Sequence, residues 1–289
     1  MTDSRTLAYG ADSDYGLLRD VLLCQPDHFR WFPANSVAEE TLRRGTSFDL
    51  QLAQRQHREM VQALEAAGVK CHFAAPDPNL PYQVYTRDPD VMTPWGVLVT
   101  QMFRPQRVGE VAPIVRFYQG NGIPVWNWAT AGSIEGGDIH IVRPGTLLIG
   151  YSGDRTKEAS ARQVAGWFEG QGWQVRCQPF AQHFLHMDLL FAMAAETVAL
   201  ACLEVLPDDF AGWLRGLGIE LVPVSYKEAM ELSGNVLALG GGKVLSAAGS
   251  KGVNAKLRAL GLDVLDPDLT MFTMGGGGPR CMTMPIRRD

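Results

Sequence analysis

Five times along this chain a helix-like stretch ends at a glycine, and an apolar or aromatic residue then opens a short strand. The junctions are Ala66-Ala67-Gly68-Val69, Gly120-Asn121-Gly122-Ile123, Gly170-Gln171-Gly172-Trp173, Leu217-Gly218-Ile219 and Leu260-Gly261-Leu262. A glycine just past a helix adopts the left-handed conformation without a Cβ penalty, so it is the expected stop signal. The junctions recur roughly every 40 to 55 residues, a period that means repeated supersecondary units.

Each unit reads alike: an apolar strand, a second strand, an amphipathic helix, and the strand after the glycine. In the third, Asp138-Ile139-His140-Ile141-Val142 turns at Arg143-Pro144-Gly145 into Thr146-Leu147-Leu148-Ile149-Gly150. The helix after Thr156 places Val164, Ala165 and Phe168 on one face. The first long helix does the same with Leu52, Ala53, Met60, Leu64 and Ala67, and Thr46 or Ser47 is its expected cap. Five such units fill the 289 residues without a linker, so a single α/β domain over 1–289 is expected. The tail from Cys281 to Ile286 reads as a strand left over after the fifth unit. Paired with the first unit, it closes a ring and brings the unit starts to one axis. A closed ring of five such units is expected; an open doubly wound sheet is the alternative.

A net charge of −5 with no block of like charges argues against nucleic acid or an anionic membrane as partner. The longest greasy stretch, Leu189 to Leu206, contains Glu196 and Glu204, and reads as two core elements instead of a membrane span. Cys24, Cys71, Cys177 and Cys202 lie in apolar runs, and no CxxC pair occurs. With a polar start that lacks an apolar signal core, this favours a reduced, cytoplasmic setting. Oligomeric state is not legible; a homodimer is one candidate assembly.

The fifth cysteine is different. Cys281 follows Gly275-Gly276-Gly277-Gly278-Pro279-Arg280, and four glycines in a row mark sharp bending or close approach of backbone to a ligand. Other reactive groups stand at the heads of other units: Tyr85-Thr86-Arg87-Asp88-Pro89, Glu135-Gly136-Gly137-Asp138 and His183-Phe184-Leu185-His186-Met187-Asp188. In a closed ring these converge. Carboxylates there can grip a planar guanidinium, a thiolate can attack its central carbon, and an imidazole can protonate the departing amine. Each piece alone has a plain structural explanation: Asp88 could pair with Arg87, and Glu135 to Asp138 could be a hairpin turn. His183 and His186 could ligate a metal, although a hydrolytic zinc site needs three protein ligands.

Together these motifs, in this order, resemble the guanidino-group modifying superfamily of arginine deiminases, dimethylarginine dimethylaminohydrolases and amidinotransferases. The resemblance covers essentially the whole chain and implies the pentein fold, an α/β five-bladed, pseudo-fivefold ββαβ propeller, which agrees with the repeat. It also implies Cys281 as nucleophile, His186 as general acid and base supported by Glu135, and Asp88 and Asp188 as grips on the guanidinium. Arg155, in Gly153-Asp154-Arg155-Thr156, resembles the arginine that binds the substrate α-carboxylate, and Arg107 is a second candidate. Asp138 and Arg280 match family positions with their roles open: a buried structural hydrogen bond for Asp138 and a loop-gating contact for Arg280 stand beside direct substrate binding. Phe29-Arg30-Trp31-Phe32-Pro33 lies where relatives carry a mobile lid, while His183 has no counterpart.

The chain is too short for the helical insertion of full-length deiminases, yet His186-Met187-Asp188 keeps an aspartate that dimethylarginine hydrolases usually lack. Glu135 tilts the choice from amidinotransferase toward hydrolase. No Walker-type loop occurs, and Gly240-Gly241-Gly242-Lys243 reads as a hairpin turn, so no cofactor or metal is expected. The implied activity is cysteine-dependent hydrolysis of the guanidinium C–N bond of arginine or a close analogue, arginine giving citrulline and ammonia. An amidinotransferase, a hydrolase of N-substituted arginine and a silent arginine-binding relative are the alternatives.

Overall fold

The computed structural model describes residues 7–289. In the first blade β1 (Leu18–Cys24) is followed by helices α1 (Ser36–Arg43) and α2 (Leu50–Ala66), then by β2 (Lys70–Ala74), which lies parallel to β1. The second pairs β3 (Asp90–Thr93) antiparallel with β4 (Gly96–Val99); helix α3 (Val111–Gly120) then returns the chain to β5 (Val125–Trp128), parallel to β4. The third repeats this with β6 (Ile139–Arg143), β7 (Thr146–Tyr151), α4 (Glu158–Glu169) and β8 (Gln174–Pro179). The fourth uses β9 (Phe191–Ala195), β10 (Val198–Ala201), α5 (Asp208–Gly216) and β11 (Glu220–Pro223). A short helix, α6 (Tyr226–Met230), leads into the fifth: β12 (Leu237–Gly240), β13 (Lys243–Leu245), α7 (Lys251–Ala259) and β14 (Asp263–Leu265). Helix α8 (Thr270–Thr273) and the glycine run carry the chain to β15 (Met284–Arg288), which pairs antiparallel with β1 and completes the first blade.

The result is five three-stranded sheets of one topology, a five-bladed α/β propeller closed by its last strand. The five junction glycines share one conformation, with φ from +70° at Gly122 to +87° at Gly68. A side chain there would strain the backbone five times over. The middle strand of each blade is covered on both faces, as the complete burial of Val97, Leu98 and Val99 shows, and so it reads as a continuous apolar run. Helices close the outside: Val164 and Phe168 of α4 pack with Leu147 and Ile149 of β7. Each such side chain contributes about 1.5–3 kcal/mol by leaving water. Leu189 to Leu206 divides into β9 and β10. Among the described residues no helix is long and apolar enough to cross a membrane, and all five cysteines are unpaired.

Two local expectations are corrected. Asp49, not Thr46 or Ser47, caps α2, its carboxylate accepting the Leu52 N–H at 2.9 Å. The helix begins at Leu50, which leaves the other two too far upstream to reach that amide. Cys281 is not on a strand: its carbonyl accepts the Arg87 N–H at 3.1 Å, and Met282 N–H turns back to the Gly278 carbonyl. The backbone around the sulfur is committed to a turn, and pairing with β1 starts only at Met284.

Candidate active site

The loop that opens the inner strand of every blade ends at the hub. Asp88 precedes β3, Glu135 precedes β6, His186 and Asp188 precede β9, and Cys281 precedes β15. Asn235 holds the matching place before β12. It was not among the residues singled out from sequence, although extending the unit-head rule to the fifth unit finds it. The loops are tied to one another: the Asp88 carbonyl accepts Gly136 N–H at 2.9 Å and Thr100 Oγ1 at 2.7 Å, while Thr86 Oγ1 bridges Leu22 and Met282 carbonyls. Two glycines make room for close approach. A Cβ on Gly137 would lie 2.5 Å from His186 Nδ1, and one on Gly277 would lie 2.2 Å from the Tyr85 ring.

Cys281 is 2 % exposed. Burial pushes its thiol well above the ordinary value, reinforced by Asp188 and Asp88; the Gly278 N–H and Arg280 oppose the rise. Its Sγ donates toward Asp188 Oδ2 at 3.5 Å and receives Asn235 Nδ2 at 3.2 Å.

His186 Nε2 meets Glu135 Oε2 at 2.7 Å, and Nδ1 lies 3.6 Å from Asp88 Oδ1. Burial disfavours the imidazolium, but Asp88, Asp138 and Glu135 together outweigh it and bring its pKa to about 9. Against the same burial, Arg155 and His186 hold Glu135 well below the usual carboxylate range. Glu135 is fixed further by Phe103 N–H, which donates to Oε1 at 2.9 Å. Asp138 plays a framing part: Oδ1 accepts Met187 N–H at 2.7 Å and Oδ2 accepts Thr156 Oγ1 at 2.5 Å, pinning the His186 turn to the Glu135 turn.

Asp88 and Asp188 each meet an arginine of the protein. Arg107 Nη1 donates to Asp88 Oδ2 at 2.6 Å and also grips Glu110; Arg280 Nη1 donates to Asp188 Oδ2 at 3.1 Å. Arg155 donates to Glu135 Oε2 and to the Ala34 carbonyl, both at 3.0 Å. In this structure, then, Arg107 and Arg155 direct donors at internal acceptors. Asp88 Oδ1, Asp188 Oδ1 and His186 Nδ1 are buried without a protein hydrogen-bond partner, an exception that calls for a ligand or a catalytic role. A cavity of about 10 Å³ is walled by Tyr85, Asp88, Arg107, Arg155, Gly276 and Cys281 among others; it has room for about one water.

The Phe29–Pro33 stretch and α1 lie across this region. Trp31 Nε1 donates to the Met271 carbonyl at 2.7 Å, Asn35 Nδ2 to Gly275 at 3.1 Å and Thr41 Oγ1 to Met274 at 2.9 Å. A larger groove of about 570 Å³, bounded in part by α1, α6 and α8, contains none of the catalytic candidates. Chemistry, not volume, locates the site. Ligand atoms of Asp88, Glu135 and His186 lie within 4.8 Å of one another, but His186, raised to about 9, carries a proton near neutrality and offers no lone pair, so this set fits a metal ion poorly. His183 is exposed and contacts the Tyr226 hydroxyl at 3.2 Å.

Residues 26–288 match the family model described as N,N dimethylarginine dimethylhydrolase, eukaryotic. The chain belongs to that family. Its membership places it in the guanidino-modifying pentein superfamily, as a C–N hydrolase by class. A Bacillus subtilis relative, the uncharacterized protein YkgA, is 30% identical over 280 residues, covering 96% of this chain and 94% of that protein. Arginine deiminase of Listeria monocytogenes serovar 1/2a is 29% identical over 262 residues and 75% of this chain, which spans only 63% of the deiminase. Among solved structures, the N-terminal domain of the cyanobacterial arginine dihydrolase ArgZ bound to its substrate gives a TM-score of 0.81 at 19% identity, covering 93% of this chain and 98% of that one. The dimethylarginine hydrolase of Pseudomonas aeruginosa complexed with citrulline gives 0.77 at 22%, covering 93% and 99%.

Proposed function

We propose that this propeller, acting as a single catalytic domain, hydrolyses the guanidinium C–N bond of arginine or a close analogue through a covalent intermediate on Cys281. The observation that carries this reading is the pair of unpartnered carboxylate oxygens, on Asp88 and Asp188, beside a buried sulfur. A flat cation lying between them receives hydrogen bonds on its nitrogens and brings its carbon to Sγ. With the cation bound beside it, Cys281 yields its proton to solvent; the thiolate adds to that carbon, and the C–N bond breaks as His186, protonated near neutrality, gives its proton to the leaving ammonia. An amidino-thioether remains. Neutral His186, oriented by Glu135, then takes a proton from water as the water attacks the same carbon; the C–S bond breaks, releasing citrulline and restoring the thiolate. Arg155 and Arg107, on the cavity wall, are the candidates for the substrate carboxylate.

Purified protein assayed with arginine, methylated arginines and other guanidines tests the proposal, with ammonia, methylamines and ureido products measured. Cys281→Ala is expected to lower turnover by about 10⁴-fold or more; turnover surviving that change overturns the covalent route. The family match over 26–288 favours a second reading, N-methylated arginine as substrate. Dimethylamine release with a kcat/KM above that for arginine decides for it.

A further inference from the structure

We propose that Asn235 is a further catalytic residue, which fixes the Cys281 sulfur and stabilises its thiolate through the side-chain amide; this rests on Cys281 being the nucleophile. The amide has only one chemically sensible orientation. Oδ1 accepts Arg280 N–H at 3.1 Å and Cys281 N–H at 3.2 Å, and a flipped amide would turn its NH2 against two donors. Nδ2 therefore faces Sγ, 3.2 Å away. One residue grips both the main chain and the side chain of the nucleophile.

The charge of the donor matters. The sulfur is buried against Asp188, so its thiolate needs donors. A cationic side chain would provide one, but it would also repel a guanidinium substrate at the same place. The neutral amide stabilises the thiolate without that repulsion. The Arg280 guanidinium is directed instead to Asp188, the Ile139 carbonyl and Asp14.

The surrounding backbone accommodates this amide at some cost. Asn235 N–H closes a turn on the Leu232 carbonyl at 3.0 Å, and Leu232 has φ +61°, the one positive value at a non-glycine among the described residues. Such strain persists where the structure around it over-determines the conformation. On the other side, a Cβ on Gly278 would lie 2.8 Å from Asn235 Oδ1. An asparagine that merely secured the loop would need its oxygen alone; the nitrogen on sulfur is the additional feature.

Asn235→Asp and Asn235→Ala separate the two roles. The aspartate keeps an acceptor for both N–H groups and, at alkaline pH, replaces the donor with a charged oxygen. The readout is the pH dependence of Cys281 carbamidomethylation by iodoacetamide, followed on its own peptide by mass spectrometry to exclude the other four cysteines. In both variants the midpoint is expected to rise by about one pH unit, and kcat to fall about 10²-fold with little change in KM. A folded variant, by circular dichroism, that keeps the wild-type midpoint and kcat overturns the proposal, as does an effect confined to KM. If the alanine variant does not fold, the aspartate variant decides. Turnover in Cys281→Ala would instead remove the nucleophile reading, while the alkylation midpoints still report on the sulfur and its amide.

Discussion

Asp88 and Asp188 each meet a guanidinium of the protein itself, but the two pairs are built differently. Arg107 is clamped: it donates from Nε and Nη2 to Glu110 and reaches Asp88 at 2.6 Å, with the Tyr85 carbonyl at 3.2 Å. Glu110 has no exposed surface, so the Glu110 end of this ion triad is sealed from water. Arg280 makes longer bonds to its carboxylates, 3.1 Å to Asp188 and 3.4 Å to Asp14, whose side chain is 16% exposed. The Asp88 arm is framework that sets a fixed charge in the pocket. The Asp188 arm is looser, and it is the one whose carboxylate touches the sulfur.

The sharpest way to break this comparison is to remove each arginine. Arg107→Met leaves Asp88 and Glu110 buried against each other, and urea unfolding is expected to show a loss of about 3–5 kcal/mol. Arg280→Met should cost roughly half as much, because one of its two carboxylates reaches solvent. Equal losses would mean that the two arms are equivalent. A pH series sharpens the Asp88 side. His186 is raised from 6.5 to about 9, with burial opposed first by Asp88, so its stabilisation is fully present below 6.5 and is lost as pH rises through 9. Thermal scans from pH 6 to 10 should show Tm falling over that window, and Asp88→Asn should flatten the fall. The smallest effect belongs to the overlying segment: Asn35→Ala removes both the cap on Ala38 N–H and the bond to Gly275. About 1 kcal/mol is expected by the same unfolding assay.

Sequence made the blades legible because the helix-stop glycines and the apolar middle strands follow from local physics that repeats five times. It also located Asp88, Glu135, His186, Asp188 and Cys281 at one hub, since each stands where a unit begins. What it could not give is pairing. Arg87, Arg107, Arg155 and Arg280 face several buried carboxylates, and nothing in linear order says that Arg107 takes Glu110 three residues on, or that Arg155 turns to Glu135. Asp14 and Glu110 were invisible for the same reason: each matters only through a partner brought in by closure. Asn235 escaped notice because Ser233-Gly234-Asn235 before an apolar strand looks like any polar turn.

The close approach of Gly137 to His186 and of Gly277 to Tyr85 has a practical consequence. Truncating side chains, the usual way to map a site, is blind at positions that already have none. Adding a single methyl at 137 or 277 probes the same geometry from the opposite direction: it pushes His186 or Tyr85 while leaving every side chain present. A collection of alanines placed on glycines would therefore outline this hub by its permitted clearances, a map that deletion of functional groups cannot draw.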